Sequence, residues 1–234
     1  MPTAKELFSE GRLDAAIETL GVELRSHPTD TQRRSFLFEL LAFAGQYDRA
    51  EKQLDALARD GAMAEAGAAV YRAAIVAERV REHMFSVGDY PKDPAPVVRG
   101  GSCNGVPFTT IEDADPRIGA RVEVSAGGRY LWIPFAHLAS ISIEPPARLR
   151  DLRWIPARVL TTEAIRHMDL GEVLIPALSP SAWRSSDTEL RLGRATDWEE
   201  LPDGDFAPVG QKVWRIDGRD VPVLEIRQLL LTAE

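Results

Sequence analysis

Apolar residues recur with helical spacing along the first third of the chain and with strand spacing along the rest. Leu13, Ala16, Ile17, Leu20 and Leu24 form a 3.6-residue stripe. Leu7 and Phe8 mark a helix before it. Phe36, Leu37, Leu40, Leu41 and Ala44 mark one after it, and Tyr47, Ala50, Leu54 and Leu57 another. A longer helix is predicted from about Met63 to Phe85, with Ala66, Val70, Ala73, Ala77, Val80 and Met84 on the side that meets a neighbour. Thr3 with Glu6, and Thr29 with Gln32, have the spacing of capping boxes that start helices.

The helical part contains a repeat. Gly11-Arg12-Leu13-Asp14-Ala15-Ala16 matches Gly45-Gln46-Tyr47-Asp48-Arg49-Ala50 at an offset of 34 residues, the period of a tetratricopeptide repeat. Glycine permits the tight turn between helices, Leu or Tyr wedges the pair, and Ala allows close approach. No third copy begins near Arg79. About two units followed by a closing helix are expected, leaning on the rest of the chain. Such a unit can be a peptide-binding groove or a scaffold without one.

Eight prolines and glycines crowd residues 88–107, which excludes a helix there and suits an extended connection. From Phe108 onward, short alternating runs predict strands at 108–111, 120–125, 129–133, 141–143, 154–160, 172–175, 213–216 and 221–226. Ala126-Gly127-Gly128 and Asp217-Gly218 read as hairpin turns. Residues 134–139 suit a short helix, and Leu229-Leu230-Leu231 is expected to pack back on the core. The fold class is α+β: a helical, tetratricopeptide-like domain at 1–90, a Pro/Gly-rich connection at 91–107 and a mostly β domain at 108–234.

The chain has 234 residues, 44% of them hydrophobic, enough for a sizeable core. The net charge of −8 argues against a general nucleic-acid binder. The single cysteine, Cys103, excludes an intrachain disulfide and fits a reducing compartment. No leader and no run of about 18 apolar residues is seen, so a cytoplasmic protein away from membranes is expected. Cys103 has no basic or histidine neighbour in sequence to make it reactive. His27, His83, His137 and His167 lack zinc-type spacing. Asp113 and Asp115 flank Ala114 and could hold a divalent ion, or simply start the turn at Pro116. No catalytic residues and no cofactor are expected.

Tryptophan and arginine are distributed unevenly. All five Trp and 15 of the 24 Arg follow residue 90, and the chain has four lysines. Arg and Trp are the types most enriched at interface hot spots. Arg129, Trp132, Arg153, Trp154, Arg194 and Trp198 are therefore the candidate partner-binding residues, with a β core and local ion pairs as the alternative.

Four motifs carry a family resemblance. They are Ile111-Glu112-Asp113-Ala114-Asp115, Gly128-Arg129-Tyr130-Leu131-Trp132-Ile133-Pro134-Phe135, Leu149-Arg150-Asp151-Leu152-Arg153-Trp154-Ile155-Pro156-Ala157 and Leu190-Arg191-Leu192-Gly193-Arg194-Ala195-Thr196-Asp197-Trp198. With the helical first part, they resemble the ImpE family, also called TagJ or SciE-like, of accessory proteins in bacterial type VI secretion. The resemblance implies a non-enzymatic adaptor that binds the small contractile-sheath subunit, through that subunit's N-terminal helix, and links it to the AAA+ ATPase that dismantles the contracted sheath. A general peptide-binding scaffold and a divalent-metal enzyme using Asp113 and Asp115 are the alternatives.

Overall fold

A computed structural model describes residues 2–98, 100–165 and 170–232. The first part is helical: α1 (Ala4–Ser9), α2 (Leu13–Ser26), α3 (Thr31–Phe43), α4 (Tyr47–Leu57) and α5 (Ala62–Val87). The Thr3 box holds at α1, where the Thr3 hydroxyl accepts from the Glu6 N–H at 3.3 Å and the Thr3 N–H donates to the Glu6 carboxylate at 2.6 Å. At α3 the cap is Asp30 rather than the expected Thr29–Gln32 box. Its carboxylate accepts from the Arg33 N–H at 2.9 Å, and an ionised acceptor outcompetes a hydroxyl.

The repeat is visible in backbone geometry. Gly11 and Gly45 sit at φ +75° and +68°. The next N–H groups turn back alike, Arg12 to the Leu7 carbonyl at 2.8 Å and Gln46 to the Leu41 carbonyl at 2.9 Å. Leu13 and Tyr47, Ala16 and Ala50, and Leu20 and Leu54 are buried in equivalent places. Between the two units α3 is enclosed: every residue from Leu37 to Phe43 is buried.

The inner face of α5 differs from the expected one. Val70 and Val80 are 49% and 45% exposed. The buried stripe is Ala68, Ala74, Ile75, Ala77, Glu78 and Arg81. Two charged residues therefore replace aliphatic ones on the packed side, a placement that requires buried partners of opposite charge.

The rest of the chain is mostly β. Its strands are β1 (Gly101–Cys103), β2 (Val106–Phe108), β3 (Ile111–Asp113), β4 (Arg121–Ala126), β5 (Arg129–Pro134), β6 (Leu138–Ile143), β7 (Trp154–Thr161), β8 (Glu172–Pro176), β9 (Thr196–Glu200), β10 (Phe206–Gly210), β11 (Val213–Ile216), β12 (Arg219–Pro222) and β13 (Gln228–Leu231), with one short helix, α6 (Thr188–Arg191). Eight strands form an antiparallel sheet in the order β2-β1-β13-β6-β7-β8-β4-β5. A three-stranded sheet, β12-β11-β3, and a ribbon, β10-β9, complete the fold. Both expected hairpin turns are present, joining β4 to β5 and β11 to β12. Within β7, Ile155, Ala157 and Val159 point into the core while Arg158 and Leu160 are exposed, the period of two that the sequence shows.

Several strand boundaries differ from expectation. The Pro/Gly-rich stretch is not all connection: residues 101–108 form the β1–β2 hairpin, with Gly101 opposite Leu231. A side chain at Gly101 would meet the Leu230 carbonyl oxygen at 2.1 Å, so the close approach itself requires glycine. The run 108–111 breaks at Thr109-Thr110, whose N–H groups both donate to the Asp217 carboxylate at 2.9 Å. The last predicted strand ends at Pro222 and is followed by a 3₁₀ turn at Val223–Glu225, and Leu229-Leu230-Leu231 lies in β13. In place of a helix at 134–139 there is a single 3₁₀ turn, Phe135–His137.

The helical core is not closed on its own. Trp154, Leu174, Leu178, Ala182 and Leu192 from the β part belong to the same buried cluster as α1 to α5. Trp154 stacks on Phe38 at 6.3 Å between centroids and 18° between planes. The Trp183 ring covers Gly45 so closely that a Cβ there would fall 2.4 Å from it.

The close packing at Ala50 predicts that Ala50→Leu costs about 1–3 kcal/mol by overpacking. Gly21, in α2 with open space around its Cα, gives the opposite sign: Gly21→Ala gains roughly 0.5–1 kcal/mol of stability. Urea unfolding of both variants checks the pair.

Candidate interaction site

The junction between α5 and the sheet is built from charge. Arg81 donates from Nε and Nη2 to the two carboxylate oxygens of Glu123 at 2.7 and 2.9 Å, and from Nη2 to the Leu178 carbonyl at 3.0 Å. Glu123 lies mid-strand in β4 with valines on both sides. Lys212 reaches Glu123 at 2.5 Å and Asp113 at 2.6 Å. All four side chains are at most 2% exposed. Glu78, one turn before Arg81, accepts from the Trp154 indole N–H at 3.1 Å and lies 3.5 Å from the Arg153 guanidinium. Arg153 donates to the Tyr47 hydroxyl at 2.6 Å. Tyr47 donates to Glu82 at 2.8 Å, and Glu82 accepts from the Trp183 indole at 2.7 Å. One connected polar chain thus runs from the second repeat unit to β3.

Titration follows from this arrangement. Burial opposes ionisation of Glu123, but Arg81 and Lys212 outweigh it and hold the carboxyl well below the usual range. Burial pushes Asp113 up to about 7, and the Glu123 and Asp115 carboxylates add to the effect against the pull of Lys212. Asp115 is forked by Arg117 at 2.8 and 2.7 Å. Both carboxylates proposed as metal ligands are therefore already held by protein cations. Among the described residues no group of three or more His, Cys, Asp or Glu has metal-site geometry. His167 lies outside the described residues. Burial pushes the Cys103 thiol up, away from the reactive thiolate.

The six candidate residues do not form one surface. Trp154 and Arg153 are 2% and 3% exposed, inside the helix–sheet junction, which corrects their expected place on a partner surface. The indole has the Glu78 carboxylate to satisfy its N–H, so its full area can be buried. Trp132 is half-buried and stacks on Tyr90 at 6.0 Å and 19°, with Phe85 beside it. Arg194 donates to the Phe8 and Ser9 carbonyls at 2.8 and 3.4 Å, at the end of α1. Arg129, opposite Ala126 across the hairpin, is exposed. Trp198 is 36% exposed, with the Arg215 guanidinium 5.6 Å from its ring centre. Sequence reasoning missed Glu78, Arg81, Glu123 and Lys212. The available signal was a lone glutamate between valines in a strand and one of only four lysines beside a strand.

Two of the surface concavities bear on binding. A groove of about 720 Å³ runs along α1, α2 and the start of α3 to residues 148–150. Phe36 and Leu149 give it an apolar floor, and Lys5, Glu23, Arg33 and Arg148 are on its rim. A cleft of about 580 Å³ opens between the β9–β10 ribbon and the three-stranded sheet, with Trp198 and Phe206 on one side and Glu112, Arg215 and Asp220 on the other.

Removing one partner of a buried ion pair strands the others. Glu123→Gln is expected to cost about 3–5 kcal/mol at pH 7. Because the folded-state pKa of Glu123 is depressed, its contribution is present above the ordinary value of 4.5 and fades as pH falls below it. The difference in unfolding free energy between wild type and variant therefore narrows below about pH 4.5, as urea titrations across pH will show. Millimolar Mg²⁺, Mn²⁺ or Ca²⁺ is expected to leave the melting temperature unchanged; a rise abolished by Asp113→Asn with Asp115→Asn would restore the metal reading.

Comparison with known proteins places this architecture. The crystal structure of a Vibrio parahaemolyticus protein superposes with a TM-score of 0.84 at 22% identity, covering 99% of this chain and 98% of that one, so the two share a fold. The type VI secretion system accessory component TagJ of Pseudomonas aeruginosa is 31% identical over 97% of this chain and 90% of its own length. The family model described as ImpE protein matches residues 105–230. The chain therefore belongs to the ImpE protein family.

Proposed function

We propose that the protein is a non-enzymatic accessory adaptor of a bacterial type VI secretion system, binding the small contractile-sheath subunit and linking it to the AAA+ ATPase that disassembles the sheath. The observation that carries this reading is the 31% identity to the accessory component TagJ along 97% of the chain. The geometry supports a binding role. The buried charged groups at the α5–sheet junction are paired with one another, which fixes shape. No helix among the described residues is long and apolar enough to cross a membrane.

The groove beside α1 to α3 is the place we assign to the sheath subunit's N-terminal helix. An amphipathic helix needs an apolar floor for one face and charges at the edge to set its register. Phe36 and Leu149 supply the first, and Arg33, Glu23 and Arg148 the second. This differs from the Arg/Trp surface expected from composition, of which Arg153 and Trp154 are interior.

Calorimetry with a peptide of the subunit's first helix tests the reading. Binding in the micromolar range is expected. Phe36→Ala should weaken it about tenfold or more if Phe36 is a hot spot, and Arg148→Glu, at an exposed position, severalfold. Equal binding of a peptide with scrambled apolar positions would favour a general peptide scaffold. No binding by wild type would defeat the adaptor reading.

A further inference from the structure

We propose a second binding site: the cleft between the β9–β10 ribbon and the β3–β11–β12 sheet docks an arginine- or lysine-rich segment of a partner protein, with one cationic side chain entering beside Trp198 and Phe206. The inference does not depend on the adaptor reading, and it concerns residues separate from the groove.

The walls of the cleft define the chemistry of the ligand. On the ribbon, Trp198 stands opposite Pro208 and Glu200 opposite Phe206, which puts both aromatic side chains on one face. They are 36% and 55% exposed, and both line the cleft. On the facing sheet, Arg215 stands between Glu112 and Asp220 in register. It pairs with Asp220 at 3.1 Å. Glu112 and Asp205, which also line the cleft, have no ion-pair partner among the described residues. The ribbon strengthens the field: residues 195–211 hold five carboxylates and no lysine or arginine. Exposed aromatic faces beside uncompensated carboxylates attract a cation with an apolar stem.

The chain already shows the pose. The guanidinium of Arg215 lies 5.6 Å from the centre of the Trp198 ring while its Nε donates to Asp220. An incoming arginine would use the same pair of features, the ring and a carboxylate, and it would find Glu112 and Asp205 free to accept. A divalent ion fits less well, since no three metal-ligating side chains converge among the described residues. An anionic ligand would meet repulsion from the ribbon. The groove at the helices is different in kind, with an apolar floor and a rim of both signs.

The probe is acetyl-tetra-arginine amide, titrated into the ¹⁵N-labelled full chain at about 0.15 M salt, where diffuse attraction between exposed charges is screened. The indole resonance of Trp198, assigned by its loss in Trp198→Phe, should shift and saturate. Acetyl-tetra-glutamate amide should leave it unmoved. Trp198→Ala should weaken binding about two- to fivefold, and Glu112→Gln with Asp205→Asn should do the same without touching the aromatic wall. Arg215→Ala should tighten binding by a similar factor, because it vacates the ring; Arg219→Ala, an equal charge change outside the cleft, should alter it less. A static Trp198 resonance would overturn the proposal. So would equal tightening by Arg215→Ala and Arg219→Ala, which means diffuse charge alone. If Trp198→Ala fails to fold, the Glu112/Asp205 variant decides: unchanged affinity there also overturns it.

Discussion

A fully buried carboxylate governs the relation between the two parts of this molecule. Glu123 lies inside β4 with no exposed surface, and two cations reach it from different directions, Arg81 from α5 and Lys212 from just before β11. An ionised carboxylate in such a place is costly unless its partners are fixed. Only one placement of α5 across the sheet supplies Arg81 bidentately, so the helix has little freedom to slide or rotate. The same logic extends outward. Glu78 gathers Arg153 and the Trp154 indole, and Tyr47 joins Arg153 to Glu82. Three cations, Arg81, Arg153 and Lys212, are thus set against three carboxyl groups, those of Glu78, Glu123 and Asp113. Such a network gives less stability than an equivalent apolar interface. What it supplies here is orientation.

Orientation matters because both concavities sit at seams. The groove is closed on one side by residues 148–150, which precede β7, and on the other by α1 to α3. Arg150 crosses that seam to Glu39 at 2.9 Å and covers the Tyr71 ring. The cleft is walled by a ribbon and a separate sheet. Neither shape exists on one element alone, so each depends on the packing that the buried charges direct.

Part of this was legible from residue order. The offset of 34 predicted matched turns at Gly11 and Gly45 and matched burial at Ala16 and Ala50, because those features are local and steric. The hairpin at Ala126-Gly127-Gly128 and the alternation in β7 were readable for the same reason. The inner face of α5 was not. Ala66, Val70 and Val80 make the better apolar stripe, yet Glu78 and Arg81 face inward because Arg153 and Trp154, for the first, and Glu123, for the second, are there to meet them from far along the chain. β9 was missed because Thr196-Asp197-Trp198-Glu199-Glu200 has no buried face to impose alternation, and β1–β2 because proline and glycine obscured short strands. Arg153 and Trp154 illustrate a further limit: the residue types that anchor partners are also those that fasten one part of a chain to another.

The indole of Trp183 on Gly45 has a mechanical consequence. Stacks of helical repeats are ordinarily springs, since each unit touches only its neighbours and small rotations at the turns add up along the array. Here the turn that begins the second unit lies under a ring from the β part, and that ring is tethered through Glu82 and Tyr47 to the same unit. The hinge at which such an array would flex is clamped. A load applied to the helices would pass into the sheet with little bending, so the protein behaves as a rigid coupling rather than an elastic one.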